Sequence, residues 1–172
     1  MNTVVLTSGP RGSGKTTFTK RITSEKPEII SVIRDEIFIE VYESVLLCPY
    51  TDDPTIGYHA VMQKVKHHMH QQKDSTIILD HFTGFSWQRK LMIERLREDG
   101  ADCVLCLYFL IPLETCIKWF MKKEDINGFS KHSVVWDYNL FYEKSSDIEE
   151  DGFDKVIYID PRQLYFSSIP IL

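Results

Sequence analysis

The sequence predicts an α/β fold in which five parallel strands form one sheet between two layers of helices. Short apolar runs alternate along the chain with longer segments of helical spacing, which is typical of a parallel sheet covered on both faces. Most of these runs lack the apolar–polar alternation of a half-exposed strand. A glycine-rich turn joins the first run to the first helical segment. The predicted strands are Thr3–Ser8, Ile29–Ile33, Thr76–Asp80, Cys103–Leu110 and Lys155–Asp160.

Six segments between the strands have apolar residues at helical spacing, three and four residues apart. Two polar segments, Cys48–Gly57 and Lys122–His132, contain glycine or proline and are candidate mobile loops. No repeat or long linker divides the chain, so residues 1–172 are expected to form one domain. The predicted helices are Lys15–Ser24, Asp35–Leu47, Gly57–Gln72, Ser86–Glu98, Pro112–Lys123 and His132–Ser145.

The composition is that of a globular protein, with 43% apolar and 26% charged residues. A formal net charge of −5 argues against attraction of the whole surface to nucleic acid, although it leaves room for a local basic groove. No apolar run approaches the roughly 20 residues of a membrane helix, and the N-terminus lacks the regions of a signal peptide. We therefore expect a cytoplasmic protein with no membrane partner; the sequence specifies no oligomeric state.

The glycine-rich turn has the spacing Gly-x-x-x-x-Gly-Lys-Thr, which is the P-loop pattern that wraps the phosphates of a nucleoside triphosphate. Its glycines let backbone N–H groups point inward, and the following helix contributes its positive N-terminal end. Lys15 is expected to reach the β- and γ-phosphates, and the Thr16 hydroxyl is expected to ligate Mg²⁺. The predicted ligands are thus ATP and Mg²⁺. The predicted cofactor-binding residues of the loop are Gly9, Pro10, Arg11, Gly12, Ser13, Gly14, Lys15, Thr16 and Thr17.

Two large classes of P-loop protein do not fit the sequence. A GTPase requires Asn/Thr-Lys-x-Asp to read guanine, and this motif is absent from the chain. A GTPase also has Asp-x-x-Gly after the third strand, whereas here the spacing from Asp80 to Gly84 is one residue longer. At 172 residues the chain is short for a motor ATPase with sensor and arginine-finger elements. What remains is a small kinase that carries its donor and acceptor sites in one domain.

Asp35 is the candidate general base for phosphoryl transfer. It follows the second strand, and parallel sheets bind ligands at the carboxyl ends of their strands. A carboxylate at that position, beside the γ-phosphate, can accept the proton of an acceptor hydroxyl. The alternative interpretation is that Asp35 only caps the following helix, where Asp is favoured.

Five segments of the chain resemble the small P-loop kinases of the polynucleotide-kinase-like family, a broad group with chloramphenicol phosphotransferase-like and zeta-toxin-like kinases. The resemblance implies a three-layer P-loop NTPase fold like that of nucleoside-monophosphate kinases. It also implies transfer of the γ-phosphoryl group of ATP to a hydroxyl, which belongs to a nucleic-acid 5′ end in some members and to a small molecule in others. The segments are GPRGSGKTT, SVIRDEI, STIILDHFTG, LYFLIPLETCIKWFMKK and GFDKVIYID.

The resemblance assigns roles to four residues. Lys15 and Thr16 match the phosphate-binding and metal-binding residues, and Asp35 matches the aspartate base. Asp80 matches the acidic residue that closes the third strand near the metal or the acceptor. Without the resemblance, Asp80 is equally described as a strand-end turn residue.

Two departures from the family bear on the acceptor. Phe38 stands where the 5′-end kinases commonly have an arginine, which favours an uncharged or aromatic acceptor; packing in the core is the alternative for Phe38. The lid, at about residues 118–132, contains no arginine. Lys123 occupies the place of a lid arginine and is the third candidate catalytic residue, with a solvated helix end as the alternative.

Weaker signals complete the sequence prediction. Arg162 follows the fifth strand, near where related folds bind adenine, and is a candidate to cover the base. Trp87 and Arg89 lie on the expected acceptor side, where they would either contact a nucleotide or pack the helix. His81 follows Asp80 and is either an active-site or a packed histidine. The function predicted is a kinase for a nucleoside, nucleotide or other small molecule, with a 5′-hydroxyl polynucleotide kinase and a non-catalytic nucleotide switch as alternatives.

Overall fold

Five parallel strands form one sheet in a computed structural model that describes residues 1–43, 56–123, 128–143 and 148–163. They are β1 (Thr3–Ser8), β2 (Ile29–Ile33), β3 (Thr76–Asp80), β4 (Cys103–Phe109) and β5 (Lys155–Ile159). Their order across the sheet is β2-β3-β1-β4-β5. The predicted five-stranded parallel sheet is confirmed, and β4 and β5 each end one residue before the predicted bound.

Helices follow the strands as the sequence predicted. They are α1 (Lys15–Glu25), α2 (Arg34–Tyr42), α3 (Ile56–Gln71), α4 (Ser86–Glu98), α5 (Leu113–Phe120) and α6 (Lys131–Tyr142), with a 3₁₀ turn at Ile148–Asp151. Residues 44–47 of the predicted second helix lie outside the described residues, as do residues 48–55 and 124–127 of the predicted mobile loops and residues 144–145 of the predicted last helix. None of the helices in the described ranges has both the length and the apolar character that a membrane crossing requires.

The fifth helix is shorter than predicted. Pro112 was expected at its first helical position, but ψ of 146° puts Pro112 in extended backbone as the N-cap residue. The helix ends at Phe120, so that Lys122 and Lys123 leave the helix instead of completing its last turn. The two lysines therefore belong to the connection that follows α5.

Apolar side chains fill both faces of the sheet because successive residues of a strand point to opposite sides. Val4 and Leu6 of β1 belong to a core with α3 and α4, whereas Val5 belongs to a core with α1. The central strand β1 is buried at all six residues, while the edge strand β5 is largely half-buried or exposed. This arrangement confirms the predicted three-layer α/β fold.

The strand register brings three chain segments to one edge of the sheet. Asp80, the last residue of β3, lies opposite Thr7 of β1 and Ile33 of β2. β1 ends at Ser8, directly after Thr7, and the glycine loop follows it. Helix α2 begins directly after Ile33. The carboxyl ends of β1, β2 and β3 therefore place the glycine loop, Asp35 and Asp80 side by side, as parallel sheets do at their binding edge.

A fully buried ion pair joins α4 to the 3₁₀ turn that precedes β5. The guanidinium of Arg89 donates from Nε to Asp151 at 2.5 Å and from Nη1 to the Thr83 carbonyl at 2.8 Å. Ser86 also donates to the Asp151 carboxylate, and neither member of the ion pair is exposed. Of the two interpretations of Arg89, the structure supports packing within the protein.

Replacing Arg89 with Met should destabilise the fold by about 3–5 kcal/mol, because it leaves the Asp151 carboxylate buried without its cation. Urea denaturation measures this change as a lower transition midpoint at constant slope. The matched control is Lys90→Met at the next position, which is exposed and should change the unfolding free energy by less than about 0.5 kcal/mol. Equal stability of the two variants would contradict a structural role for the ion pair.

Candidate active site

A cavity of about 1160 Å³ opens at the carboxyl edge of the sheet. Its wall includes the glycine loop and α1 on one side, the start of α2 and the end of β3 on another, and the segment after α5 on a third. Sequence-predicted site residues that line it are Arg11, Gly12, Gly14, Lys15, Thr16, Thr17, Asp35, Asp80 and Lys123. Residues from four separate stretches of the sequence thus surround one space.

The glycine loop has the backbone conformation that its composition predicts. Gly12 has φ of 78° and Gly14 has φ of 88°, in the region that favours glycine. A Cβ at Gly12 would also lie 2.2 Å from the Cys116 carbonyl oxygen of α5. Any larger residue at Gly12 would therefore be strained and would displace α5 from the loop.

The N-terminus of α1 offers free backbone donors to the cavity. Gly14 is the N-cap residue and supplies no side-chain hydrogen bond, and the first turn of α1 contains no acidic residue. The first N–H groups of a helix have no partner within the helix and carry its positive end. An anion in the cavity would accept hydrogen bonds from these N–H groups.

Lys15 lies half-buried between the loop and the cavity. Its Nζ donates to the carbonyl oxygens of Gly9 at 2.8 Å and Pro10 at 3.0 Å. Burial lowers the pKa of Lys15 by desolvating the ammonium, and the nearby carboxylates of Asp80 and Asp137 oppose this shift. The ammonium is in direct contact with carbonyl groups, so a phosphate would give it its first fully charged partner.

Thr16 and Asp80 bring a hydroxyl and a carboxylate oxygen together. The Thr16 hydroxyl donates to Asp80 Oδ2 at 2.5 Å, and the Thr7 hydroxyl donates to Oδ1 at 3.0 Å. No cluster of three or more His, Cys, Asp or Glu that could hold a metal occurs among the described residues. A single carboxylate beside a hydroxyl fits Mg²⁺, which keeps several waters and takes further ligands from substrate phosphates.

Asp35 projects from the first turn of α2 and is exposed, with 59% of its side-chain surface accessible. Arg34 Nη1 lies 2.6 Å from Asp35 Oδ1, and the same guanidinium sits 3.9 Å above the ring of Phe38. The N-cap residue of α2 is Ile33, and no side chain caps the helix. Asp35 therefore does not cap α2, and it lines the cavity that Lys15 and Asp80 also line.

Arg11 of the glycine loop lines the cavity beside Phe129. Its guanidinium carbon lies 3.4 Å from the centre of the Phe129 ring, and its Nε donates to Asp137 Oδ2 at 3.0 Å. Asp137 is buried, which raises the pKa of its carboxyl although Arg11 lowers it. The nearby Lys123 places its Nζ 5.6 Å from the Phe120 ring centre.

Other predicted residues lie behind or beside the cavity. Gly9, Pro10 and Ser13 are buried in the loop and are not part of its lining. Arg162 pairs with Asp160 at 2.5 Å and lies outside the lining, whereas the neighbouring Pro161 lines the cavity. Trp119 also lines it, 3.1 Å from where a Gly14 Cβ would stand. The base-covering role of Arg162 stays a prediction.

His81 lies in the cavity wall next to Asp80. The pKa of its imidazole is lowered to about 4, chiefly because the ring is removed from solvent. Its Nδ1 lies 2.7 Å from the Phe82 carbonyl oxygen, while Nε2 has no hydrogen-bond partner. His81 is thus a neutral histidine within the candidate site.

Sequence reasoning missed Asp137, Trp119, Tyr58 and Gln88 as cavity residues. Asp137 carries a usable signal, because an acidic residue within the apolar pattern of a helix indicates a buried polar partner. The other three have the composition of ordinary helix positions. Only the assembled fold brings them to the cavity.

A family model described as an AAA domain matches residues 4–138. The chain belongs to this family. The matched range of this AAA-domain protein includes the glycine loop, Asp35, Asp80 and Lys123, and it ends before β5. A comparison with curated proteins gave no match.

Solved structures share the fold of this AAA-domain protein. The Deinococcus radiodurans tunicamycin resistance protein has a TM-score of 0.59 and 14% identity, over 95% of this chain and 88% of that chain. A sugar kinase from Janibacter sp. HTCC2649 has a TM-score of 0.60 and 21% identity, over 95% and 87% of the two chains. A chain of the Pnkp1/Rnl/Hen1 RNA repair complex has a TM-score of 0.64 and 17% identity, over 88% of this chain and 46% of that chain.

These similarities confirm the predicted resemblance to P-loop kinases at the level of the fold. The identities lie between 14% and 21%, a range in which proteins share an architecture and differ in their substrates. The chemistry of the site must therefore be argued from its own residues.

Proposed function

We propose that this protein is an ATP-dependent kinase that transfers the γ-phosphoryl group to a hydroxyl of a nucleoside, a nucleotide or another small molecule. One observation carries the proposal: the exposed Asp35 carboxylate lines the same cavity as Lys15, Thr16 and Asp80. A protein that only binds a nucleotide has no use for a base at the phosphate end of its site. A volume of about 1160 Å³ has room for a nucleotide and a second substrate together.

The donor nucleotide would occupy the glycine-loop side of the cavity. The free N–H groups of α1 and the Lys15 ammonium would hold its phosphates. Trp119 and Pro161 flank Gly14 and offer an apolar surface for the base. Thr16 and Asp80 would hold Mg²⁺, which when bound neutralises charge on the β- and γ-phosphates.

The transfer step uses the acceptor side. Asp35 would accept the proton of the acceptor hydroxyl as its oxygen forms a bond to the γ-phosphorus. The bond from the γ-phosphorus to the bridging oxygen breaks, and ADP leaves with the electron pair. Lys123 would lie near the transferred group, within a lid at about residues 118–132, and Arg11 supplies a second cation on that side. The products are ADP, the phosphorylated acceptor and a proton.

A 5′-hydroxyl polynucleotide kinase is the second candidate, favoured by the similarity to a chain of an RNA repair complex. The net charge of −5 and Phe38 near Asp35 favour a small acceptor instead. The names of the sugar kinase and the tunicamycin resistance protein agree with a small-molecule acceptor.

The direct test is release of ADP from Mg²⁺-ATP with and without added acceptor. We expect ADP release to rise at least about tenfold with a suitable nucleoside, sugar or aromatic alcohol, and label from γ-³²P-ATP to appear on that acceptor, since binding of the acceptor completes the site. Binding of ATP with no transfer to any acceptor would identify a nucleotide switch. ADP release that is equal with and without acceptor would identify an ATPase.

A further inference from the structure

Arg11 is an arginine within the glycine loop, and its guanidinium is held on two sides. Its Nε donates to Asp137 Oδ2 of α6 at 3.0 Å, and its central carbon lies 3.4 Å from the centre of the Phe129 ring. A guanidinium can be held in this way because its flat face packs against an aromatic ring while its edge donates hydrogen bonds. Two residues from outside the loop therefore fix the position of the guanidinium.

The contact with Asp137 leaves most of the hydrogen-bond donors of Arg11 unused. A guanidinium has five N–H donors, and Asp137 accepts the one on Nε. Nη1 and Nη2 donate to none of the described residues, and neither is among the polar atoms that are buried without a partner. The Arg11 side chain is 25% accessible, and the residue lines the cavity. The Nη groups are therefore open to a ligand.

Arg11 and Lys15 place two positive charges at the same part of the cavity. Burial raises the pKa of the Asp137 carboxyl, whereas the nearby charges of Arg11 and Lys15 lower it. One carboxylate thus lies close enough to interact with both cations. Because Lys15 is expected to reach the β- and γ-phosphates, Arg11 belongs to the phosphate end of the cavity.

The other arginines of the described lining lie farther along α1 or pair with the candidate base. Arg21 follows Lys15 by six residues, which is about 9 Å along α1. Arg34 pairs with Asp35 at 2.6 Å. Residues 98–161 contain no arginine, so the segments after α5 offer lysines, which lack the planar fork that matches two phosphoryl oxygens. Arg11 is thus the arginine best placed to contact a transferred phosphoryl group.

We infer that the Arg11 guanidinium contacts the γ-phosphoryl group and stabilises the negative charge on its oxygens during transfer, and that Asp137 and Phe129 hold it in place. This inference rests on the proposed kinase function and deepens it. Arg11 stays protonated throughout. The acceptor oxygen still bonds to the γ-phosphorus, the bridging oxygen leaves with ADP, and Asp35 accepts the proton. Asp137 is then a positioning residue that acts through Arg11.

The first test compares two nucleotides that differ in the γ-phosphate, so it requires no acceptor. Arg11→Met should weaken binding of Mg²⁺-AMP-PNP, a non-hydrolysable ATP analogue, by about 10- to 100-fold, because it removes a charged hydrogen bond to the γ-phosphate. Its affinity for Mg²⁺-ADP should stay within about threefold, since ADP lacks the group that Arg11 contacts. Isothermal titration calorimetry measures both affinities.

The second test measures single-turnover transfer from γ-³²P-ATP to an acceptor that the wild-type protein phosphorylates. Arg11→Met should slow transfer about 100-fold, the lower end of the loss that follows removal of one preorganised donor. Arg11→Lys keeps the charge without the planar fork and should remain at least about tenfold slower than wild type. The matched control is Arg97→Lys, an exposed arginine outside the cavity that pairs with Asp154 at 3.0 Å. It should transfer within about twofold of wild type.

Asp137→Asn tests the positioning role. It should lower the affinity for AMP-PNP and the transfer rate at least about fivefold, and these losses should be at least about threefold smaller in the Arg11→Met background, because Asp137 acts through Arg11. A purely structural residue would cause the same loss in both backgrounds. The double variant also removes both members of the ion pair, so it should be at least as stable as Arg11→Met, in which the Asp137 carboxylate is buried without its cation.

The outcomes separate this inference from the kinase proposal. An unchanged preference for AMP-PNP over ADP in folded Arg11→Met or in the double variant would overturn the inference and keep the kinase function. Equal weakening of AMP-PNP and ADP binding would overturn it as well, and would leave the ion pair the structural role of joining α6 to the glycine loop. No transfer by the wild-type protein to any acceptor would overturn the kinase function, and with it the catalytic role of Arg11.

Discussion

Replacing Lys15 with Met is expected to reduce phosphoryl transfer about 100- to 1000-fold, the loss typical of removing one preorganised donor from a transition state. Within the described part of the chain, the Lys15 ammonium donates to the Gly9 and Pro10 carbonyls and to no carboxylate, so it is available to the γ-phosphate as charge develops there. Methionine fills the same volume without that charge. Single-turnover transfer from γ-³²P-ATP measures the loss.

The fold should survive this substitution. Burial lowers the pKa of Lys15 because desolvation disfavours its charged form, so the ammonium opposes folding and its removal leaves thermal stability equal or higher. Lys20→Met on the same helix is the control, since Lys20 is exposed and pairs with Glu36; it should retain activity. A folded Lys15→Met protein with full activity would exclude Lys15 from catalysis.

Replacing Asp35 with Asn should lower kcat by about 100- to 10,000-fold, the range expected when a general base is removed. The affinity for ATP should stay within about twofold, because Asp35 belongs to α2 and not to the glycine loop or α1, which would hold the phosphates. Stopped-assay turnover and equilibrium nucleotide binding separate these two effects.

The control for Asp35→Asn is Glu36→Gln at the adjacent position. Glu36 is exposed and pairs with Lys20, so its loss should leave turnover within about twofold. Asp35 does not cap α2, and asparagine caps a helix as well as aspartate does, so Asp35→Asn should change the unfolding free energy by less than about 0.5 kcal/mol. Unchanged turnover in Asp35→Asn would reject the base assignment.

The strands of the sheet were predictable because each one is specified by a run of apolar residues within its own short segment. Strands such as β1 and β4, covered on both faces, must be apolar at nearly every residue, which produces recognisable runs. The glycine loop was predictable for the same reason, since its residues are contiguous and its backbone demands glycine at fixed places. The roles of Lys15, Asp35, Asp80 and Lys123, and the extent of one domain over residues 1–172, stay predictions.

Part of the cavity lining was not predictable because it depends on contacts between distant segments. Arg11 and Asp137 are 126 positions apart, and the local sequence around either residue does not predict their contact. Tyr58 and Gln88 occupy ordinary helix positions, and only the assembled fold brings them into the lining of the cavity. Arg89 is a different case: its position suggested a contact with a ligand, but its guanidinium pairs with Asp151 inside the protein.

The pairing of β3 with β1 limits where this chain can gain or lose residues. Asp80 reaches Thr7 and Thr16 because these strands are aligned with Thr7 opposite Asp80. A single-residue insertion within β3 would shift that alignment, turn Asp80 to the other face of the sheet and bring Leu79 to its place, and one within β1 ahead of Thr7 would turn Thr7 in the same way. A length change in the turn after α3 would preserve the alignment. Variation in length among descendants of this gene is therefore expected in its connections, while the two strands keep a fixed count of residues.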